Sequence, residues 1–336
     1  MKIFVPQALG VGVRIAGTGA YLPARKVTNA ELAAAGGPLT EEEILRLSGI
    51  ATRHVAARTE ATSDLAVRAA RGAMERAQVA AAQIERLVLA TVSPDHQSPS
   101  TACIVQHALG LPQIPAFDLT ASCSGFVYAL DAAARAIATG DTHVLAIAAD
   151  IRSRYLNPSD RATSALFGDG AGAAVVSRGE TGKGLVAIGL LADGSGAKSV
   201  YVPAGGSREP ATAESVAAMR HTIHMAEGAQ VYLAAVEGML SVGEELLKSQ
   251  GLGFRDVDLI VPHQPNRRIL DRLAKIGRFD PAKLFINVDR IGNVSGASIA
   301  IALDEVLRGG KVPAGGRVLL IAAGAGYTAG AALLVL

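Results

Sequence analysis

The chain alternates short unbroken apolar runs with longer stretches whose apolar residues recur at helical spacing. "ERLVLA" (85–90), "HVLAIAAD" (143–150), "VDLIVP" (257–262) and "RVLLIAAG" (317–324) have the length and bounding of strands buried on both faces. "GDGAGAAVVS" (168–177) and "YTAGAALLVL" (327–336) read the same way. "CSGFVYALDAAARAIATG" (123–140) and "NVSGASIAIALDEVLRGG" (293–310) each show a small-residue start, an "ALD" in the middle and a glycine stop, the pattern of a helix. A further long helix is predicted over 228–248.

These pieces form pairs, and the pairs recur in the same order. The chain therefore reads as two copies of one βαβ-rich unit in an α/β fold, with Ala-rich helices packed closely on buried strands. Residues 1–180 form an N-terminal half. Residues 181–336 form a C-terminal half whose core is 250–336. Between the cores, "GSGAKSVYVPAGGSREPATAESVAAMR" (194–220) is polar and rich in Gly and Pro, a loop excursion of the kind that builds sites.

Composition narrows the class. Half of the 336 residues are apolar but only 4% are aromatic, so Ala, Val, Leu and Ile must fill the core. A net charge of +2 argues against nucleic acid or a polybasic membrane surface as partner. Two cysteines without a disulfide pattern suit a reducing compartment. "MKIFVPQALGVGVRIAG" (1–17) lacks a signal peptide's long apolar region and cleavage site, so cytoplasm is expected. Residues 318–336 are uncharged and near spanning length, but Gly324, Gly326 and Gly330 interrupt them, and they read as two buried strands rather than a membrane span.

Three groups carry candidate chemistry. Cys123 follows the strand-like "PAFDLT" (115–120) and precedes a helix, and free N–H groups and the positive dipole at such a corner lower a thiol's pKa. Position alone leaves nucleophile and buried small hydrophobe both open. Cys103 falls on the apolar face of a helix pattern and reads as core. His263 ends the strand run "DLIVPHQPN" (258–266) at its carboxyl edge, where α/β sheets bind ligands. The other histidines lack this placement. His221 and His224 have metal-ligand spacing but no evident acidic or thiolate partners, so no metal site is expected. Asn293, in "DRIGNVSGAS" (289–298), occupies roughly the place in the second half that Cys123 has in the first. A turn or helix cap is its plainer role. Duplication, however, lets both corners and His263 point into one central cleft.

At this point the chain resembles the β-ketoacyl-[acyl-carrier-protein] synthase III family of the thiolase-like superfamily. The likeness runs from about Gly12 to Leu336. It rests on "GTGAYLPARKVTNAEL" (17–32), "SGIATRH" (48–54), "PSTACIVQHALG" (99–110), "PAFDLTASCSGF" (115–126), "FGDGAGAAV" (167–175), "VPHQPN" (261–266) and "GNVSGAS" (292–298), in that order. The resemblance implies a five-layer αβαβα sandwich, a homodimer, and a catalytic Cys123, His263 and Asn293. It implies that Cys123 accepts an acyl group from a thioester and that a malonyl thioester then loses CO₂ and attacks it. His263 and Asn293 would donate hydrogen bonds to the developing enolate, each worth on the order of 3 kcal/mol. Backbone N–H groups of Cys123 and Ala325 would form the oxyanion hole of the first step. In Gly324-Ala325-Gly326, the central Ala departs from the family's glycine triplet. No cofactor is implied beyond the substrates, an acyl-coenzyme A or acyl-carrier-protein thioester.

Other departures touch the substrate. The family sandwiches the adenine of coenzyme A between a Trp and an Arg. Glu43 and Leu47 take those places here, and the chain has no Trp. Arg161 matches the remaining arginine of that clamp, so a carrier-protein donor becomes a real alternative. Ser98 stands where the family has an aromatic that closes a neighbouring subunit's acyl pocket, and a small residue there admits a longer chain. Arg268, Arg272 and Lys275 share one side of a predicted helix. They are either a solvated face or a docking face for acidic acyl carrier protein, although Leu233 replaces the family's docking lysine.

A non-condensing acyltransferase and an enzyme joining two long acyl chains are rivals on the same fold; Asn293 favours condensation over plain transfer. The glycines of "GDGAG" and "GAGYTAG" lack the dinucleotide-binding spacing. A non-catalytic partner subunit would have lost a member of the triad, and none is lost.

Overall fold

The computed structural model describes residues 11–336. Residues 1–10, which carry most of the leader reading, lie outside the described residues. The first half contains β1 (Gly12–Tyr21), β2 (Arg25–Thr28), α1 (Asn29–Ala34), α2 (Glu41–Ser48), β3 (Thr52–Val55), α3 (Thr62–Ala77) and β4 (Arg86–Ala90). It continues with α4 (Thr101–Ala108), β5 (Ala116–Leu119), α5 (Gly125–Ala138), β6 (His143–Ile151) and β7 (Asp169–Gly179). The second contains β8 (Gly184–Ala192), β9 (Val200–Tyr201), α6 (Ala213–Ala217), β10 (His224–Met225), α7 (Gly228–Ser249) and β11 (Leu259–Pro262). It ends with α8 (Arg267–Gly277), α9 (Val288–Ile291), α10 (Ala297–Arg308), β12 (Arg317–Gly324) and β13 (Thr328–Val335).

The strand pairing makes the duplication visible. β4 runs parallel to β6, and β6 antiparallel to β7; β11 runs parallel to β12, and β12 antiparallel to β13. β7 then pairs with β1, and β13 with β8. The two sheets join through a single pair, Val13 with Gly184, in the order β11-β12-β13-β8-β1-β7-β6-β4-β5.

Three apolar clusters separate five layers. Leu65 and Ala69 of α3 and Val105 of α4 cover one face of the first sheet through Leu87, Leu89 and Ile147. Phe126 and Leu130 of α5 and Ile299 and Leu303 of α10 fill the space between the two sheets, against Ala146, Ala174, Val261 and Leu320. Val236 and Met239 of α7 and Leu273 of α8 cover the outer face of the second sheet through Leu319 and Ile321. The result is the thiolase-like αβαβα sandwich. Each fully buried Leu, Ile or Phe contributes roughly 1.5–3 kcal/mol by leaving water.

Small residues let the layers approach closely. A Cβ on Gly172 of β7 would stand 2.4 Å from the Ala300 Cβ of α10, and one on Gly19 of β1 would stand 2.2 Å from the Ala69 carbonyl oxygen of α3. These close approaches let a core with so few aromatic residues pack layer on layer without large side chains between them.

Two expectations change and a third holds. Cys103 is exposed rather than core. Its helix α4 lies beside β5, the last strand of the ladder, which has no further partner strand among the described residues. The excursion 194–220 is partly ordered: β9 pairs with β10, and α6 has a capping box from Thr212. Residues 318–336 form the β12–β13 pair, and no helix among the described residues is long and apolar enough to cross a membrane.

Gly172→Ala should cost about 1–3 kcal/mol by overpacking the central layer. An unfolding titration in urea checks this, and an unchanged midpoint would contradict the close approach of β7 and α10.

Candidate active site

Cys123 sits where β5 turns into α5. After Leu119 the chain passes through Ser122 at φ +48°, makes one 3₁₀ turn over Ser122–Ser124, and enters α5 at Gly125. Left-handed backbone at a serine is strained by roughly 1–3 kcal/mol, so the surroundings must hold it. The ends of β12 and β13 do so. Thr328 Oγ1 donates to the Ala121 carbonyl at 2.9 Å, and Ser124 Oγ donates to the Thr328 carbonyl at 3.2 Å. Gly324 lies so close that a Cβ there would be 2.7 Å from the Cys123 nitrogen.

The second corner repeats the first. Setting Ala129-Leu130-Asp131 over Ala302-Leu303-Asp304 places Ser122 on Ser295, Cys123 on Gly296 and Thr120 on Asn293. Ser295 has φ +50°, matching its counterpart, so the strained turn itself is duplicated. Asn293 thus answers to Thr120, three positions before Cys123 in the repeat register. Its backbone is zipped to "FGDG": Asn293 N–H donates to the Leu166 carbonyl and Gly168 N–H to the Asn293 carbonyl, both at 3.0 Å. Asn293 Oδ1 accepts from Ser295 N–H at 2.9 Å, which leaves the Nδ2 donors to face the cavity.

His263 follows β11 directly, and its N–H donates to the Ile321 carbonyl at 2.8 Å. Next to it, Gln264 is buried and fully engaged. It donates to the Pro262 and Phe285 carbonyls and accepts from the Asn287 and Val288 N–H groups. The His263 ring is buried, and its Nδ1 has no partner among the described residues. Burial holds its pKa down to about 3, so the imidazole is neutral near pH 7.

All three residues line one cavity of 660 Å³. Ala325 lines it too, as do Val200, Tyr201 and Val202 from the excursion and Ile223 and Met225 just after it. Inside, the Cys123 Sγ lies 3.8 Å from the Ser295 Oγ. Burial pushes the thiol up to about 11; Ser295 and the Arg152 charge pull the other way, and Asp150 adds to the rise. The expected lowering at a helix start is therefore outweighed in the free site, because a thiolate there has too little water around it.

Other expected site residues stand elsewhere. Arg161 does not line this cavity: it is exposed, its Nη1 donates to the Pro38 carbonyl at 2.6 Å, and its Nη2 pairs with Glu43 at 3.0 Å. Ser98 is exposed in the loop before α4 and also lies outside the lining. Arg268, Arg272 and Lys275 lie exposed on α8, whose entry is capped by Asn266. No cluster of three metal-ligating side chains occurs among the described residues. Sequence reasoning missed Asp150, Arg152 and Ser295. Arg152 directly follows the apolar run of β6, so the rule that picked His263 at the end of its strand applies to it equally.

A duplicated sandwich with a Cys, a His and an Asn converging on one apolar cavity defines an acyl-transferring condensing enzyme of the thiolase-like class. Family models described as 3-oxoacyl-[acyl-carrier-protein] synthase III and as its C-terminal part match residues 117–194 and 247–336. A β-ketoacyl-[acyl-carrier-protein] synthase III of Caldanaerobacter subterraneus subsp. tengcongensis is 44% identical over 319 residues, 95% of this chain and 96% of the relative. The crystal structure of the Thermus thermophilus synthase III shares 38% identity at TM-score 0.88, covering 96% of this chain and 99% of that one. The Aquifex aeolicus structure shares 36% at TM-score 0.87, covering 97% and 100%. The chain belongs to the β-ketoacyl-[acyl-carrier-protein] synthase III family and is an acyltransferase of fatty acid biosynthesis.

Alkylation of Cys123 in the ligand-free protein, followed residue by residue by mass spectrometry, should accelerate about tenfold per pH unit across roughly pH 7–10, because only the thiolate reacts. A plateau below about pH 8 would contradict the raised thiol.

Proposed function

We propose that Cys123 takes an acyl group from a thioester and that His263 and Asn293 then drive decarboxylative condensation with a malonyl thioester carried by acyl carrier protein. The observation behind this is the convergence of the three side chains on one cavity, with neither the Nδ2 of Asn293 nor the Nδ1 of His263 hydrogen-bonded among the described residues. In the first step sulfur attacks the carbonyl carbon, the backbone N–H groups of Cys123 and Ala325 receive the oxyanion, and as the carrier sulfur–acyl bond breaks the thiol proton leaves on the carrier thiol. In the second, loss of CO₂ leaves enolate charge on the malonyl thioester oxygen. A neutral imidazole and a carboxamide are suited to this oxygen, since both donate without adding charge to a dry site. The carbanion attacks the acyl group and releases Cys123. Each step moves an acyl group, a proton or CO₂, so the reading calls for no cofactor beyond the two thioesters.

The donor is read as carrier protein in preference to coenzyme A. Arg161, the arginine assigned to the nucleotide, is already engaged by Glu43 and Pro38. On α8, Arg267 pairs with Asp271 at 2.8 Å, while Arg268, Arg272 and Lys275 form no ion pair among the described residues. Beside them Leu45 of α2, Leu233 of α7 and Ile276 of α8 are exposed, and Tyr232 of α7 donates to the Arg268 carbonyl. A basic helix flanked by apolar side chains suits an acidic protein partner better than a free nucleotide. For the homodimer, β5 supports the reading: it ends the ladder with no strand on its outer edge among the described residues, and Phe117 is 39% exposed. Ser98 would then meet the second copy's acyl site. The reading keeps 1–180 and 181–336 as the two halves and cytoplasm as the compartment.

The test presents one acyl group on both carriers and follows intact mass and condensation product. Cys123 should gain the acyl mass, faster from carrier protein, and Cys123→Ala should gain none. His263→Ala or Asn293→Ala should still acylate but condense about 10²–10³-fold more slowly. An adduct on Cys123→Ala, or equal loss of both steps in the His263 and Asn293 variants, would overturn the assignment.

A further inference from the structure

Arg152 follows β6 as Cys123 follows β5, and it is the single Arg or Lys among the described residues that line the cavity. Its side chain is deeply buried, at 8% exposure for the residue. Its Nη1 donates to the Val92 carbonyl at 3.2 Å, and its Nε is buried without a partner among the described residues. It forms no ion pair with any acid among the described residues. The adjacent acid, Asp150, is committed elsewhere. It accepts from Val92 N–H at 2.9 Å and from Thr91 Oγ1, Ser93 Oγ and Gly296 N–H, each at 3.2 Å. The guanidinium carbon stands 5.4 Å from the Tyr155 ring centroid and 5.7 Å from that of Phe167, contacts that position it but use none of its N–H donors in a hydrogen bond.

A cation in this setting is costly. An apolar side chain of similar volume would be at least as stable there. The arrangement becomes favourable when an anion enters the cavity, and a planar fork of N–H donors fits a carboxylate best. Two carboxylates can reach an acyl site of this kind: that of the malonyl extender and one at the far end of the acyl group itself. The first must leave as CO₂. An ion pair to it would stabilise the ground state and raise the barrier to its loss. The second survives the reaction and can be held throughout.

We propose that Arg152 binds a carboxylate at the far end of the acyl group that Cys123 accepts, so that the enzyme is loaded with the half-thioester of a dicarboxylic acid. The inference rests on Cys123 as the acylated residue. Loading exchanges one thioester for another. The Cys123 Sγ–acyl bond forms, the carrier sulfur–acyl bond breaks, the thiol proton leaves on the carrier thiol, and the distal carboxylate is unchanged. Arg152 is thus a specificity-determining residue, and Phe167 and Tyr155 hold its fork.

The experiment measures acylation of Cys123 by intact mass with no malonyl thioester present. Succinyl, glutaryl and adipyl thioesters are compared with butyryl, pentanoyl and hexanoyl thioesters on the same carrier. At least one diacid should load with kcat/KM about 100-fold above the uncharged chain of equal length. Arg152→Leu should lose about that factor for the diacid and speed the uncharged chain, while Arg152→Lys should retain part of the diacid preference. An unchanged or higher melting temperature of Arg152→Leu would show that it folds and that the charge serves binding rather than stability. Wild-type enzyme loading uncharged chains as well as every diacid would overturn the inference and leave Cys123 as acyl acceptor intact. So would an Arg152→Leu variant that slows both classes equally, or one defective only in condensation. Failure of every thioester to acylate Cys123 would overturn the acyl-enzyme reading and this inference together.

Discussion

Two helix corners meet across a gap too narrow for a side chain, and the site depends on that contact. A Cβ on Gly296 would stand 2.9 Å from the Ser122 carbonyl oxygen, so the start of α10 is pressed against the turn that carries Cys123. The buried Asp150 holds the contact from behind: it takes the Gly296 N–H with one oxygen and the Val92 N–H with the other. Removing it would leave several buried donors unsatisfied, at about 1–3 kcal/mol each. From this contact follow the Ser295–Cys123 approach, the orientation of Asn293 by the Ser295 N–H, and the single cavity that both halves line.

Burial is the second constraint, and it governs the charge states. At rest the site holds a neutral thiol and a neutral imidazole, both set by burial. A polar site open to water would ionise the thiol more readily but weaken every donor aimed at a developing oxyanion. Here the balance falls toward strong donors, with the proton removed as the thioester is attacked. A permanent cation such as Arg152 stands out against this background: its charge favours the thiolate of Cys123, yet it forms no ion pair among the described residues.

Much of this was legible in the chain. Strand and helix periods, the paired apolar runs and the position of His263 at a strand's end all follow from local pattern, and the resemblance supplied the layered sandwich. What escaped is long-range. Cys103 looked apolar in its helix, but exposure depends on β5 being the last strand, which no local pattern states. The thiol's environment was misjudged because a helix start is visible in sequence while the burial around it is not. Asp150 and Arg152 end a strand together, yet the partners that satisfy Asp150 come from residues 91–93 and from Gly296, both far along the chain. The engagement of Arg161 by Glu43 likewise needs two segments brought together by the fold.

The central claim is that two separate loops of the C-terminal half deliver His263 and Asn293 to one oxygen beside Cys123 of the N-terminal half. A double-mutant cycle on the condensation step tests it most directly, with His263→Ala, Asn293→Ala and the double variant each pre-acylated at Cys123. If both donors serve one enolate, the second substitution should cost far less than it does alone, since the first has already removed the assembled hole. Fully additive losses, with the double variant slowed by the product of the two single factors, would contradict a shared oxygen.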